Sequence, residues 1–201
     1  RLLSAFPYLR INLIGRPYQK VKAAINNKKE NLCRIDQYYR CIDDLIYHES
    51  VQEMRLYRQH GSVSCFEHSL NVSYTSFWLC QVLGWNYKAA ARGGLLHDLF
   101  LYDWRKFKPQ EGLHGFVHPQ QALNNALEVC TLNKIERDII LKHMFPLTWS
   151  PPRYKESMIV CLVDTLCSIW EVLSFFPLRN IYPSSKILTI HNVKLISGGE
   201  Q

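Results

Sequence analysis

No run of apolar residues in this chain approaches the roughly 18–20 that a membrane-spanning helix needs. The longest candidate, Met158 to Trp170, is interrupted by Asp164. A membrane is therefore not an expected partner. No CxxC pair occurs, which removes the commonest thiol-based metal and redox motifs. The seven cysteines (Cys33, Cys41, Cys65, Cys80, Cys130, Cys161 and Cys167) are scattered, odd in number and mostly inside helical patterns. The apolar patch in residues 1–17 carries no clear cleavage-site pattern. Together these features point to reduced, mostly core-filling thiols and a cytoplasmic location. Internal repeats and low-complexity stretches are absent, so a repeat array is excluded. Strand-like alternation is scarce, and the expected fold class is all-α. No recognised nucleic-acid-binding motif occurs, so nucleic acid is not an expected partner either.

What is present suffices for one globular domain with a core: 201 residues, 47% of them hydrophobic. The net charge of +7 is concentrated at the start, where Arg1, Arg10, Arg16, Lys20, Lys22, Lys28 and Lys29 face Glu30 alone. The expected organisation is a basic leader over residues 1–30, a helical domain over 31–176 and a short irregular tail over 177–201. Within the tail, Ile187-Leu188-Thr189-Ile190 could form a short strand.

Hydrophobic periodicity places the helices. Residues 34–48 put Ile35, Tyr38, Tyr39, Ile42, Leu45 and Ile46 on one face. After a turn at His60-Gly61-Ser62, a helix is predicted over 64–83, ended by Gly84, and another over 87–101. Residues 103–117 read as irregular, with Pro109, Gly112 and Gly115. Pro119 suits the first turn of a helix running to Cys130. Asn133 caps a further helix through Met144, and a long helix covers 153–175.

Into these apolar patterns the sequence sets a few polar residues that need partners. His97-Asp98 lies in Gly93-Gly94-Leu95-Leu96-His97-Asp98-Leu99-Phe100-Leu101. A carboxylate beside an imidazole is costly there unless something pairs with it, and a metal ion does so well. His68, upstream, and Asp164, downstream, sit in similar apolar helical settings. His118 and His143 extend the set to six potential ligands. Six exceed what one hydrolytic ion needs while keeping positions open for water, so two ions fit better. The mixed nitrogen and oxygen donors suit iron, manganese, zinc, cobalt or nickel rather than magnesium or calcium alone.

The order His68, His97-Asp98, Asp164 resembles the HD-domain metal-dependent phosphohydrolase superfamily, over roughly residues 55–175. The segments Glu67-His68-Ser69-Leu70-Asn71-Val72-Ser73 and Leu95-Leu96-His97-Asp98 carry the resemblance. His118 and His143 are similar to the two intervening histidines of its dinuclear branch. That likeness implies an HD-type helical bundle with Asp98 bridging two ions. His68, His97 and Asp164 would hold one ion, and His118 and His143 the other. It further implies hydrolysis of a phosphoester or phosphoanhydride bond by a metal-activated water, with Asp98 and His97 as catalytic groups. The implied substrate is a small phosphorylated molecule of the nucleotide class. Many relatives place a small residue and then a lysine after His-Asp. Here Leu99-Phe100-Leu101 follows instead, which argues against the cyclic-dinucleotide phosphodiesterases of that branch.

Arg58, His60, His114 and Lys142 are the candidate phosphate-binding groups around this set, with Gln59 beside them. Trp104, Phe107 and Phe116 are aromatic candidates for packing or for stacking on a base. A second reading keeps the metal but not the turnover: a nucleotide-binding or regulatory module.

Overall fold

The computed structural model describes residues 17–59, 61–106 and 112–175, and, of these, the side chains of residues 32–173. Residues 1–16, His60, Phe107 and the tail with its expected strand lie outside the described residues. Seven α-helices make up the described chain: α1 (Pro17–Ile46), α2 (Glu49–Glu53), α3 (Cys65–Val82), α4 (Tyr87–Leu96), α5 (His114–Val129), α6 (Lys134–Lys142) and α7 (Lys155–Phe175). A 3-10 turn, Met54–Leu56, follows α2. Among the described residues there is no strand, only a single antiparallel bridge between Arg58 and Ser64. The all-α expectation holds. No described helix is long and apolar enough to cross a membrane.

By compactness the chain divides into residues 1–40 and 41–201. In the first unit, α1 opens on Pro17, whose fixed φ and missing N–H suit a first helical turn. It begins well before the periodic stretch at 34–48, because Lys, Ala and Glu favour helix without supplying an apolar face. Near its end in this unit, Asp36 and Arg40 form an exposed ion pair one turn apart.

The second unit is a bundle in which α3 packs on α4 and α7, and α6 on α4, α5 and α7. Its core joins Val72 and Cys80 of α3, Ala90 of α4, Ile139 of α6, and Val160 and Val163 of α7. Gly93 and Gly94 allow this close packing. A Cβ on Gly93 would stand 2.7 Å from Ile139, and one on Gly94 would stand 3.0 Å from the Ser73 backbone. Ser73 seals the same contact by donating its hydroxyl to the Ala91 carbonyl at 2.6 Å. Buried Arg92 ties the bundle together, reaching Asp44 and, at 3.2 Å, Glu136.

Helix starts follow local chemistry. Ser64 and Glu67 form a capping box at α3, and Asn133 with Glu136 forms another at α6. Gly84 follows α3 with φ 68°. Three limits differ from the sequence reading. First, α4 stops at Leu96, so His97 caps its end and Asp98 lies in the following turn rather than on a helix. Second, α5 starts at His114, leaving Pro119 inside it at the cost of the hydrogen bond to the Gly115 carbonyl. Third, α6 ends at Lys142, making His143 its C-cap.

All seven cysteines are free thiols. Burial pushes Cys80 and Cys167 up to about 12 and Cys161 up to about 11, which makes them poor thiolates and poor metal ligands at neutral pH.

Candidate metal centre

Five elements send side chains to one buried point: His68 from α3, His97 and Asp98 from the end of α4, His118 from α5, His143 from the end of α6, and Asp164 from α7. They form two groups, His68 with His97 and Asp164, and Asp98 with His118 and His143. Within each group the candidate ligand atoms all lie within 4.8 Å of one another. Two buried sites that could hold metal ions therefore stand side by side.

Asp98 joins them. Its Oδ2 lies 3.4 Å from His97 Nε2 and 3.9 Å from His68 Nε2. Its Oδ1 lies 3.2 Å from His118 Nε2 and 3.5 Å from His143 Nε2. Each oxygen of one carboxylate thus faces a different group. Asp164 Oδ1 completes the first group, 3.0 Å from His68 Nε2 and 3.7 Å from His97 Nε2. Donors about 2.0–2.2 Å from a shared ion stand roughly 3–3.5 Å apart, and the separations here run from 2.8 to 3.9 Å.

The outer ring nitrogens explain why the inner ones point inward. His97 Nδ1 meets the Gly94 carbonyl at 2.8 Å, His118 Nδ1 the His114 carbonyl at 2.9 Å, and His143 Nδ1 the Ile140 carbonyl at 2.9 Å. A carbonyl only accepts, so each Nδ1 carries the proton and donates. Each Nε2 is left as a lone pair facing the cluster, the arrangement that ligating histidines adopt. His118 Nε2 and His143 Nε2 stand 2.8 Å apart, two acceptors in need of a shared positive charge. His97 Nε2 and Asp98 Oδ1 are wholly buried and make no hydrogen bond. Orphaned atoms of this kind are expensive in a low-dielectric interior, and a cation satisfies them together. The residues present fit a divalent ion in each group.

Without ions the cluster would share protons instead. Burial opposes charge on His68, but hydrogen bonds to Asp164 and Glu171 outweigh it and push the imidazole up to about 9. On His97 burial is likewise outweighed, by Asp98 and Asp164, which hold the ring well above its ordinary value. Burial works against ionisation of both aspartates. His97 and His118 nevertheless hold Asp98, and His68 and His97 hold Asp164, well below the carboxylate range. Burial, reinforced by His118 and His97, pushes His143 down to about 3.

Of the other sequence candidates, His114 stands at the centre. Its ring stacks on His118 with centroids 4.5 Å apart and on Trp104 at 5.2 Å. The Tyr102 hydroxyl and its Nδ1 share a hydrogen bond at 2.7 Å. Burial and then His118 push it down to about 4, so it is neutral near pH 7. Arg58 is exposed, and its carbonyl accepts from Arg105 at 3.4 Å. Lys142 is engaged elsewhere, 3.0 Å from Asp138 and 3.0 Å from the Pro151 carbonyl. Gln59 is buried, donating its amide to Asp98 Oδ2 and accepting the Cys65 thiol. The sequence reading missed Glu171, whose Oε2 lies 2.9 Å from His68 Nδ1. The available signal was its spacing, seven residues beyond Asp164 and so on the same face of α7.

Compared with protein-family models, curated proteins and solved structures, the chain matches none.

Proposed function

We propose that this chain is a dinuclear metal-dependent phosphohydrolase of HD-domain type, acting on a small phosphorylated substrate of the nucleotide class. The observation that carries the reading is the division of Asp98, one oxygen toward His97 and His68, the other toward His118 and His143. His68, His97 and Asp164 would hold one ion, His118 and His143 the other, with Asp98 shared. The nitrogen and oxygen donors suit iron, manganese, zinc, cobalt or nickel. Such ions supply Lewis acidity toward a phosphoryl oxygen and activate water near neutral pH.

The chain's own groups orient and exclude. Gln59 orients Asp98 by donating its amide to Oδ2. With the Tyr102 hydroxyl as donor to Nδ1, His114 would carry its proton on Nε2 and offer that N–H to a phosphoryl oxygen beside His118. Trp104, stacked on His114, offers a flat apolar surface at the same edge.

The test is hydrolysis of nucleotides and simple phosphodiesters by metal-loaded protein. Turnover that falls at least a hundredfold in Asp98→Ala supports the reading; unchanged turnover in that variant refutes it. One feature favours the alternative of a binding module: the ligand atoms are deeply buried, and Asp164, at 12% side-chain exposure, is the most open of the six. Saturable nucleotide binding by metal-loaded protein, with no product formed, would select it.

A further inference from the structure

We infer that Glu171 is a positioning residue of the metal centre, a carboxylate behind His68 that orients this ligand and raises its donor strength. The inference rests on the dinuclear reading above and deepens it, because it makes the two ion sites chemically unequal.

Three of the four cluster histidines anchor Nδ1 on a backbone carbonyl. His68 alone anchors it on a carboxylate, Glu171 Oε2 at 2.9 Å. A backbone carbonyl is neutral, whereas a carboxylate pulls the Nδ1 proton harder and makes Nε2 a stronger donor. The geometry of α7 builds this arrangement. Asp164 and Glu171 are seven residues apart, close to two full turns, so they share a face about 10.5 Å apart along the axis. The His68 ring is held between them, Nε2 on Asp164 at 3.0 Å and Nδ1 on Glu171 at 2.9 Å.

A charged glutamate has little other reason to be there. Glu171 is 8% exposed on the buried face of α7, and its Oε1 is buried with no hydrogen-bond partner. Among the described residues no Lys or Arg pairs with it; its partner in an ion pair is His68. A carboxylate so placed costs stability unless positive charge reaches it, from a proton on His68 or from an ion beyond the ring. An ion held by His68, His97 and Asp164 supplies that charge through the ring.

The experiment is a titration of the metal-stripped full chain with cobalt(II) chloride. It is followed by visible ligand-field absorption, with bound cobalt counted by elemental analysis. Two ions are expected on the unaltered protein. In Glu171→Leu, one ion is expected to weaken by roughly 10–100-fold while the other stays within about threefold. The absorption band of the weakened ion is expected to shift. Glu171→Gln is expected to fall between, because its amide oxygen still accepts the Nδ1 proton but carries no charge. His68→Ala is expected to weaken the same ion, and the double variant to lose no more than His68→Ala alone. If both cobalt affinities and both bands are unchanged in Glu171→Leu, the inference is wrong while the dinuclear reading stands. Equal weakening of both ions, tracking a drop in the melting temperature of the stripped protein, would make Glu171 merely structural. If the unaltered protein binds no cobalt, the metal centre fails, and the inference with it. Should the leucine variant not fold, the glutamine variant decides.

Discussion

At the scale of single residues, His68, His97, Asp98, His143 and Asp164 are held far from their usual protonation behaviour, and protons should report on it. In the ion-free protein, His68, raised to about 9, and His97, also raised, favour folding fully below the ordinary histidine value near 6.5. That contribution is lost as pH climbs through 9. His143 and His114, pushed down to about 3 and about 4, act in the opposite sense. Folding holds them neutral, so stability falls as pH drops below about 6.5. Asp98 and Asp164, both depressed, stabilise above about 4 and withdraw their contribution in acid. The melting temperature of metal-stripped protein is therefore expected to peak near pH 6–7 and to decline toward pH 9. With ions bound, metal replaces the Nε2 proton and the alkaline decline should vanish. A stripped protein whose melting temperature rises between pH 7 and 9 would contradict this proton assignment. His68, His97, Asp98 and Asp164 were legible because each is a polar residue inside an apolar pattern, and His118 and His143 because they extend that ordered set as the family resemblance implies. Glu171 was not, because a glutamate near the end of a long helix reads as a solvated charge. Only the packing of α7 against α3 turns it inward.

At the scale of elements, the turn after α4 is the part on which the centre most depends. His97 caps α4 and hydrogen-bonds back to the Gly94 carbonyl, while Gly94 touches the Ser73 backbone. Gly94→Ala puts a methyl group 3.0 Å from main-chain atoms that cannot swing aside. A loss of roughly 1–3 kcal/mol is expected from such overpacking. Because the strain is applied at the His97 anchor, metal affinity should fall as well, read by denaturant unfolding and cobalt titration on the same variant. Gly93→Ala is a comparison in which the clash, at 2.7–3.0 Å, is with the β-branched core residue Ile139 rather than with the backbone beside the His97 anchor. It should cost stability while changing metal affinity less. Ser64→Ala removes the α3 cap and is expected to cost about 1 kcal/mol. Caps and stops such as Ser64, Gly84 and Asn133 could be read from the sequence because their chemistry is local. The end of α4 could not. Leu95 through Leu101 keeps an apolar pattern that periodicity alone continues as helix. The chain leaves the helix because Asp98 must turn toward the centre, and Leu101 then takes a φ of 53°. The start of α5 was hidden for a related reason: Pro119 suits a first turn, yet tertiary packing extends the helix back to His114.

At the scale of the whole molecule, the six candidate ligands come from widely separated points in the chain, from His68 to Asp164, and converge only when α3 to α7 pack together. An unfolded chain cannot present them together, so ions held by this set would bind the folded state almost alone. Free metal at a hundred times its Kd would then add about 2.7 kcal/mol per ion. For a domain of this size, that is a rise in melting temperature of roughly 5–10 °C, reversed by a chelator. The fold class was legible from periodicity alone, since amphipathic helices of this length have few other ways to bury their faces. The convergence of the ligands was not, because it depends on how α3, α4, α5, α6 and α7 pack. The most direct test of that convergence is elemental analysis of purified, metal-reconstituted full-length chain, counting iron, manganese, zinc, cobalt and nickel per polypeptide. Close to two ions per chain is the expected result, and one ion or none after reconstitution would contradict the dinuclear centre.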